Sequence, residues 1–321
     1  MDGLALVFPG QGSQQVGMGK ALADNDPAAA AVFAQADEVL GFALSRLCFE
    51  GPAEALNDTA NAQPALLTAS VAALRALEST FGAGEQPRVV AGHSVGEYAA
   101  LVACGALAFP DALRLVRQRG MLMKRAGENA SGGMAAAIGG ELPEIQRLCQ
   151  QLAAENGWVL QIANDNCPGQ VVVAGDDAAL EAFSAQCKTV GVKIFKRLAV
   201  SVACHTERMR PAQDELDRAL AGAPIQDAGI PLCANVNARV ITSAGDIRGE
   251  LGQQLCAPVQ WSASVRAMAA LGVMRFIEVG PGSVLQGLIR RIEPGFACAG
   301  FASPEDAPAI HALLAGSAAG A

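Results

Sequence analysis

The 321-residue sequence predicts an α/β protein, with a parallel sheet covered by helices on both faces and a smaller inserted subdomain. Apolar, β-branched runs alternate with helical patterns along most of the chain, an order typical of parallel sheets. After residue 127 the pattern becomes βαββαβ, the order of ferredoxin-like units. We therefore expect one domain formed by residues 1–127 and 199–321, and a ferredoxin-like subdomain formed by residues 128–198.

The first part of the chain contains two strand patterns, each followed by a glycine-containing turn. Leu4–Phe8 is an apolar run that ends in the turn sequence PGQGSQ, and Arg88–Ala91 ends in a second such turn. The remaining patterns have helical periodicity, and they predict helices up to Ala23, over 27–40, over Ala62–Phe81 and after Pro110.

The expected subdomain contains six short elements. They are predicted, in βαββαβ order, at Gly133–Ile138, Leu142–Glu155, Val159–Ala163, Gln170–Ala174, Asp177–Val190 and Val192–Leu198. Strands at Leu232–Val236 and Arg275–Val279 should then complete the parallel sheet. The Ala/Gly-rich tail after Pro304 is expected to fray.

The composition argues against several classes of protein. Hydrophobic residues make up 51% and charged residues 17%, which is typical of a globular chain. A net charge of −8 argues against a nucleic-acid partner. The nine cysteines form no C-x-x-C pair, which indicates reduced thiols rather than disulfides or a metal site. No apolar run reaches membrane-spanning length and the start lacks signal-peptide features, so a cytoplasmic protein without membrane association is expected.

The stretch AGHSVGEYAA places Ser94 between a buried strand pattern and an apolar helix pattern. Gly92 and Gly96 complete the G-x-S-x-G pattern, in which the serine lies on a sharp strand-to-helix turn and exposes Oγ as a nucleophile. The alternative is a capping box, because Ser94 and Glu97 also have the spacing S-x-x-E. The pattern alone leaves both interpretations open.

A nucleophilic serine needs a base within hydrogen-bond reach, and histidine is the usual base at neutral pH. The sequence contains three histidines. His93 adjoins the serine, and neighbours on an extended turn point opposite ways, while His311 lies in the tail that is expected to fray. This leaves His205, and the order serine before histidine is that of hydrolase-like folds. No Asp or Glu between the two stands out, so the third member is expected to be a neutral acceptor.

Arg119 lies on the apolar side of a predicted helix, together with Leu115, Leu122 and Met123. A guanidinium group keeps its proton in proteins, so its burial requires a partner that compensates the charge. That partner is either a carboxylate of the same chain or the carboxylate of a substrate, held by two parallel hydrogen bonds.

The glycine-rich turn PGQGSQQVGMGK does not match a nucleotide-binding loop. Gln15 stands where G-x-G-x-x-G requires glycine, and Met18 stands where the P-loop requires lysine. The turn after the first strand is nevertheless where α/β enzymes place an oxyanion donor, and Gln11 is the candidate. A second glycine-rich stretch, residues 278–285, fits simple turn chemistry and a direct role in the site equally well.

In their joint order these motifs resemble the malonyl-CoA:acyl carrier protein transacylases of fatty acid synthesis. The resemblance extends over nearly the whole chain and is far more specific than G-x-S-x-G alone. The family fold is a hydrolase-like α/β domain plus a ferredoxin-like insert. The matching segments are VFPGQGSQ at 7–14, GPAEALNDTANAQPALLTAS at 51–70, AGHSVGEYAALVACGAL at 91–107, NCPGQVVVAG at 166–175, APVQW at 257–261 and EVGPGSVLQGLIRRI at 278–292.

The resemblance implies a role for each matching residue. Ser94 corresponds to the acylated nucleophile and His205 to its general base. Arg119 corresponds to the arginine that holds the malonyl carboxylate, and Gln11 to the glutamine beside the oxyanion hole. Gln254 corresponds to the glutamine whose backbone carbonyl orients the histidine, which agrees with the missing acid.

Three further residues are expected at the cleft. Asn166 belongs to the N-x-PGQ loop that lines the cleft in the family. Cys204 precedes His205, where the family commonly has serine or alanine, and this position shapes the acyl pocket. The backbone N–H of Val95 is expected to stabilise the oxyanion together with the backbone N–H of Gln11.

The resemblance implies a ping-pong transfer in which malonyl-CoA acylates the serine and CoA leaves. The phosphopantetheine thiol of an acyl carrier protein then accepts the malonyl group. No bound cofactor or metal is implied, and a monomer is expected. Because carrier proteins are acidic, an acidic enzyme needs a local cationic surface. The candidates for that surface are Lys193, Lys196, Arg197, Arg290 and Arg291.

Three alternatives remain open from the sequence. An acyl hydrolase on the same fold would use water as the acceptor, and the charge of Arg119 argues against it. A non-catalytic interaction subunit would have no need for the combined set of polar site residues. An acyltransferase that serves a polyketide synthase or a malonate decarboxylase would use identical chemistry and differ only in its carrier protein.

Overall fold

The computed structural model describes residues 2–78, 85–129, 131–200 and 202–316. Within them, ten strands form two sheets. The strands are β1 (Gly3–Phe8), β2 (Val89–Gly92), β3 (Gly132–Gly139), β4 (Leu160–Cys167), β5 (Gln170–Asp176), β6 (Val192–Arg197), β7 (Leu232–Cys233), β8 (Val240–Ile241), β9 (Val273–Val279) and β10 (Ala297–Phe301).

Fourteen α-helices occur in the same ranges. They are α1 (Lys20–Asn25), α2 (Pro27–Leu40), α3 (Leu44–Glu50), α4 (Ala53–Asn57), α5 (Thr59–Glu78), α6 (Gly96–Ala103), α7 (Phe109–Asn129), α8 (Leu142–Asn156), α9 (Asp177–Gln186), α10 (Arg210–Gly222), α11 (Ala244–Leu251), α12 (Trp261–Ala270), α13 (Val284–Ile292) and α14 (Ala307–Ala315). No helix in this described part is both long and apolar enough to cross a bilayer.

The large sheet has the strand order β10-β9-β1-β2-β7-β8, and all its pairings except β7 with β8 are parallel. Every residue of β1 is buried, as expected for a parallel strand covered on both faces. Leu4, Leu6 and Phe8 pack in one hydrophobic core, whereas Ala5 and Val7 pack in a second core on the opposite face. The predicted parallel sheet with helices on both faces is therefore confirmed.

The small sheet has the order β4-β5-β3-β6 and is antiparallel throughout. On one face it packs against α8 and α9 around a separate core that includes Ile145, Val173 and Phe183. Residues of its other face, among them Met134 and Val172, belong to the main core. The element order from β3 to β6 is βαββαβ, and on this basis we propose that residues 128–198 form the ferredoxin-like subdomain.

The structure corrects several predicted elements. The tail after Pro304 does not fray up to residue 316, because α14 buries Ile310 completely against the main core. Strands β8 and β10 were not predicted, and β7 has only two residues. The helix predicted to end at Val190 becomes a 3₁₀ turn after Gln186. Positions 79–81 of the predicted helix Ala62–Phe81 lie outside the described residues, as do tail positions 317–321.

Candidate active site

Ser94 lies on a sharp turn between β2 and α6. Its backbone φ is 53°, a left-handed conformation that is costly for a residue with a side chain. A Cβ atom on Gly92 would lie 2.0 Å from the carbonyl carbon of Gly96, and one on Gly96 would lie 2.2 Å from the Phe8 carbonyl oxygen. Both glycines of the G-x-S-x-G pattern are therefore required by close backbone approach.

The capping-box interpretation of Ser94 is wrong. Helix α6 begins at Gly96, and no side chain caps its first turn. The backbone N–H of Ser94 donates to Asn235 Oδ1 at 2.7 Å instead of to Glu97. The Glu97 carboxylate instead accepts a hydrogen bond from the Asn235 backbone N–H at 3.1 Å. The serine hydroxyl is thus left for other contacts.

The hydroxyl of Ser94 meets His205 across a gap of 111 positions in the chain. Oγ lies 2.8 Å from His205 Nε2. His205 Nδ1 lies 2.8 Å from the Gln254 carbonyl oxygen and 3.1 Å from the Ala257 carbonyl oxygen. A carbonyl oxygen only accepts, so these contacts assign the proton of a neutral imidazole to Nδ1 and leave Nε2 as the acceptor.

Burial holds His205 in this neutral form. The side chain is 3% exposed, and desolvation together with the positive charge of Arg119 lowers its pKa to about 3. The backbone carbonyls that accept from Nδ1 act in the opposite direction, but their effect is smaller. At neutral pH the imidazole therefore carries no charge and can accept the proton of Ser94.

Arg119 is 1% exposed and lies beside the serine. Its Nη1 donates to Gln63 Oε1 at 2.7 Å, and its Nη2 donates to Ser94 Oγ and to Gln254 Oε1, both at 3.1 Å. No carboxylate forms an ion pair with it in the described ranges, and its Nε lacks a partner there. The structure therefore contains no internal salt bridge of this arginine among those residues, and all three of these acceptors are neutral oxygens.

Gln254 joins the histidine, the arginine and the serine turn. Its backbone carbonyl accepts from His205 Nδ1. Its side chain, for which the sequence predicted no role, accepts from Arg119 and donates to the Ser94 carbonyl oxygen at 3.2 Å and to Glu97. The side chain is 1% exposed, so its polar atoms depend on these protein partners rather than on water.

Three buried residues of the site were not predicted from the sequence. Gln63 is a fully buried amide on α5. The available sequence signal was a glutamine between the apolar residues Ala62 and Pro64–Leu67 of a predicted helix. Asn235 follows the carboxyl end of β7, the edge of a parallel sheet where sites form, but a two-residue strand gives a weak pattern. Glu97 was considered only as a cap. Burial and the nearby Glu250 raise its pKa well above the ordinary value.

Two backbone N–H groups near Ser94 remain available as donors. Within residues 2–78 and 85–129, the N–H groups of Gln11 and Val95 form no hydrogen bond. The Gln11 side chain donates to Thr59 Oγ1 at 3.2 Å. The Ser94 N–H is bound to Asn235, whereas these two groups lack a hydrogen-bond partner in the described residues.

Ser94 and His205 open into a cavity of about 400 Å³. Cys204 contributes to its wall. The wall contains Asn164 rather than the expected Asn166, whose Oδ1 lies 2.9 Å from His93 Nε2. The register of β4 shifts between Asp165 and Cys167, so the two asparagines do not follow one regular strand alternation. Other wall residues are Gln11, Gly12, Gln14, Asn57, Thr59, His93, Met123, Met134, Leu198, Ala199, Val200 and Val202.

The five expected docking residues are all exposed. Lys193, Lys196 and Arg197 lie on β6, the edge strand that leads into the cavity wall at Leu198. Arg197 pairs with Asp177. The two other candidates lie on α13, where Arg290 donates to the Cys298 carbonyl and Arg291 donates to Gln170 Oε1 and the Pro168 carbonyl.

The second glycine-rich stretch fits its turn interpretation. The Glu278 carboxylate accepts hydrogen bonds from the backbone N–H groups of Leu285 and Gln286, each at 3.0 Å. It thereby caps the first turn of α13. In the part of the chain that the structure describes, no group of three or more His, Cys, Asp or Glu side chains is placed to hold a metal ion.

The family model described as "Acyl transferase domain" matches residues 5–295. The chain belongs to this family. It is 43% identical to a malonyl CoA-acyl carrier protein transacylase of Bacillus subtilis over 95% of both chains. It is 46% identical to one of Escherichia coli K12, over 91% of this chain and 93% of that one. The expected family is therefore confirmed, and the protein is an acyltransferase.

Solved structures of transacylases have the same fold. The malonyl-CoA:acyl carrier protein transacylase of Xanthomonas oryzae superposes with a TM-score of 0.92, at 42% identity, over 98% of both chains. A malonyl-transacylase solved in complex with a type II PKS acyl-carrier protein also superposes with a TM-score of 0.92, at 41% identity, over 97% of this chain and 99% of that one. The mixed α/β architecture with a parallel-sheet core agrees with these structures.

Proposed function

We propose that this acyltransferase moves a malonyl group from malonyl-CoA to the phosphopantetheine thiol of an acyl carrier protein, through a malonyl ester of Ser94. One observation carries the proposal. Ser94 Oγ lies between a neutral imidazole nitrogen at 2.8 Å and a buried guanidinium at 3.1 Å. A base and a cationic group thus meet at one hydroxyl, as transfer of an anionic acyl group requires.

In the first step His205 Nε2 takes the hydroxyl proton while Oγ attacks the thioester carbonyl of malonyl-CoA. The negative charge that develops on the carbonyl oxygen is stabilised by the N–H groups of Gln11 and Val95. One such donor typically contributes about 10²–10³-fold to the rate. The C–S bond then breaks, and the CoA sulfur leaves as a thiol with the proton held by His205.

Arg119 selects for malonyl because its charge needs an anionic partner. Its donors now bond to neutral oxygens and its Nε to none in the described residues. A malonyl carboxylate would replace the Ser94 contact and supply the missing negative charge. An acetyl group leaves the buried charge without a counter-ion, which is costly in a site of low dielectric.

In the second step the phosphopantetheine thiol of the carrier protein replaces CoA. Its proton goes to His205, its sulfur attacks the ester carbonyl of malonyl-Ser94, and the serine oxygen leaves with that proton. All the groups in these steps belong to one chain, so we propose that a monomer is competent. The reaction needs no bound cofactor, because the proton and the charges are handled by side chains and backbone amides.

We further propose that the carrier protein docks at the exposed basic side chains of β6. Lys193 and Lys196 form no ion pair within the described residues, and β6 ends at the cavity wall. Acidic carrier proteins would be attracted to such a surface and guided to the cleft. A malonyl-transacylase of 41% identity has been solved with an acyl-carrier protein bound, which supports a partner of this class.

Intact-mass measurement after incubation with malonyl-CoA tests the proposal. We expect a single malonyl adduct on the protein, which disappears in Ser94→Ala. Acetyl-CoA at the same concentration should label the protein far more slowly. Equal labelling by the two thioesters would contradict the role of Arg119, and an undiminished adduct in Ser94→Ala would contradict the nucleophile.

A further inference from the structure

We propose that Asn235 is a positioning residue that holds Ser94 in its left-handed conformation through two side-chain hydrogen bonds. The inference rests on the proposed role of Ser94 as nucleophile. A serine at φ 53° persists only where its surroundings compensate the strain. The side chain of Asn235, 141 positions away in the sequence, contributes to that compensation by accepting a hydrogen bond from the Ser94 backbone N–H.

The Asn235 amide bonds to both sides of the turn. Its Oδ1 accepts from the Ser94 backbone N–H at 2.7 Å, and its Nδ2 donates to the Gly92 carbonyl oxygen at 2.7 Å. The two contacts fix the end of β2 and the serine relative to one another. A carboxamide suits this task because it presents an acceptor and a donor side by side.

Asn235 is itself held in place. Its backbone N–H donates to Glu97 Oε1 at 3.1 Å, and its carbonyl accepts from the Gln260 N–H at 2.9 Å. Glu97 in turn accepts from the Gln254 side chain, whose backbone orients His205. At 1% exposure, all four polar groups of Asn235 are paired. The same set of bonds therefore fixes both members of the Ser94–His205 pair.

We call the two hydrogen bonds from the Asn235 amide to Ser94 N–H and to the Gly92 carbonyl the clamp. The clamp also determines which backbone N–H groups remain free to bond to the acyl oxygen. While the Ser94 N–H is directed to Asn235, the N–H groups of Gln11 and Val95 have no partner among the described residues and are the proposed donors to the acyl oxygen. Without Asn235 the strain at Ser94 is no longer compensated, and a relaxed φ moves Oγ away from His205. A displacement of about 1 Å in a catalytic group can cost about 10²-fold in rate.

Kinetics of malonyl-Ser94 formation test the clamp. In Asn235→Ala and Asn235→Asp the rate of acylation should fall about 10²-fold, while the affinity for malonyl-CoA, measured in a Ser94→Ala background, should stay within twofold. Aspartate has the same shape but places an oxygen against the Gly92 carbonyl, so the clamp requires that Asn235→Asp be impaired. A near-normal rate in Asn235→Asp would show that the amide hydrogen bonds are not needed and that Asn235 only fills space, which would overturn the proposal.

The matched control is Asn237→Ala. Asn237 lies in the same loop and is exposed, and within the described residues its side chain accepts a hydrogen bond only from the Arg239 backbone N–H. We expect the rate and the melting temperature of this variant to equal those of the unaltered protein. A comparable rate loss in Asn237→Ala would show that the loop as a whole, rather than the Asn235 amide, is responsible, and would overturn the proposal.

A stability cycle tests the same contact without using activity. Glycine adopts positive φ without strain, so Ser94→Gly needs the clamp less. Asn235→Ala should lower the melting temperature clearly in the Ser94 background and by less in the Ser94→Gly background. Rescue of folding in the second background would also support the clamp. Equal losses in both backgrounds, or failure of both to fold, would overturn it. Because the cycle needs no turnover, it separates this inference from failure of the proposed reaction.

Discussion

The Nη2 atom of Arg119 lies 3.1 Å from Ser94 Oγ, so the group proposed to hold the substrate touches the group proposed to attack it. The same serine oxygen is 2.8 Å from His205 Nε2. A carboxylate that binds Arg119 must therefore lie within a few ångströms of the nucleophile. This fits malonyl, whose carboxylate is separated from the thioester carbonyl by one methylene group.

Removal of the Arg119 charge should change substrate choice more than it changes folding. In Arg119→Gln we expect kcat/KM for malonyl-CoA to fall about 10²–10³-fold, because the charged pair with the carboxylate is lost. The kcat/KM for acetyl-CoA should fall much less. The control is Arg114→Gln on the same helix, an exposed residue paired with Asp111 at 3.0 Å, which should behave like the unaltered protein. Parallel losses with both thioesters would contradict the selectivity argument.

The pH profile should reflect a histidine that resists protonation. Burial and the charge of Arg119 lower the pKa of His205 to about 3, and the neutral form is the base. The rate of acylation should therefore stay nearly level from pH 7 to pH 5. With the ordinary histidine pKa of 6.5, the neutral fraction, and with it the rate, would fall about 25-fold over that range. An acid limb with a midpoint near 6.5 would contradict a buried, neutral His205.

The Gln254 side chain should matter even though its backbone orients the histidine. Gln254→Ala keeps the carbonyl that accepts from His205 but removes the side-chain bonds to Arg119, Ser94 and Glu97. We expect kcat/KM for malonyl-CoA to fall about 10-fold, in line with the loss of buried hydrogen bonds. Gln253→Ala is the control, since among the residues that the structure describes this exposed side chain bonds only to the Gly249 carbonyl. Unaltered kinetics in Gln254→Ala would show that these side-chain bonds do not support the reaction.

The two glycines beside Ser94 should be intolerant of alanine. In Gly92→Ala the new methyl group would meet the backbone of Gly96 at 2.0 Å, and backbone cannot move aside as a flexible side chain can. We expect a loss of about 3 kcal/mol or more in the free energy of unfolding. Gly287→Ala, in α13 with no atom within 4 Å of the added carbon, should gain about 0.5–1 kcal/mol. Urea denaturation compares the two variants.

Charge reversal on β6 should affect only the second substrate. In Lys193→Glu with Lys196→Glu, the KM for the carrier protein should rise several-fold, with a weaker dependence on salt. Formation of malonyl-Ser94 from malonyl-CoA should be unchanged. The control is Lys188→Glu, which reverses one charge outside β6 and should leave the KM for the carrier protein unchanged. An unchanged KM for the carrier in the double variant would place docking on another surface.

The main sheet was predictable because its strands are buried on both faces. Such strands are continuous apolar runs, as at β1, and the pattern is visible in the sequence. β7 and β8 have two residues each, too few for a periodic pattern. α14 was missed because its small residues resemble a flexible tail, although Ile310 is fully buried in the core and Ala307, Leu313 and Leu314 pack against that core.

The sequence predicted the site residues that lie in recognisable motifs and missed those whose partners are distant in the sequence. Ser94 has a local pattern and His205 was found by elimination among three histidines. Asn235 has no local signal, since its partners are 141 and 143 positions away. The partner of Arg119 was likewise undecidable, because the nature of a buried partner depends on which helices pack together. Long-range hydrogen bonds are set by tertiary structure and leave little trace in local sequence.

A chase experiment on the isolated acyl-enzyme tests the central claim most directly. Protein loaded from malonyl-CoA and freed of excess thioester is mixed with a carrier protein that bears its phosphopantetheine arm, and the malonyl group is located by peptide mass spectrometry over time. We predict that the label starts on Ser94 and appears on the carrier thiol at least as fast as steady-state turnover. A label on another residue, or its release to water at the same rate with and without carrier, would contradict the account.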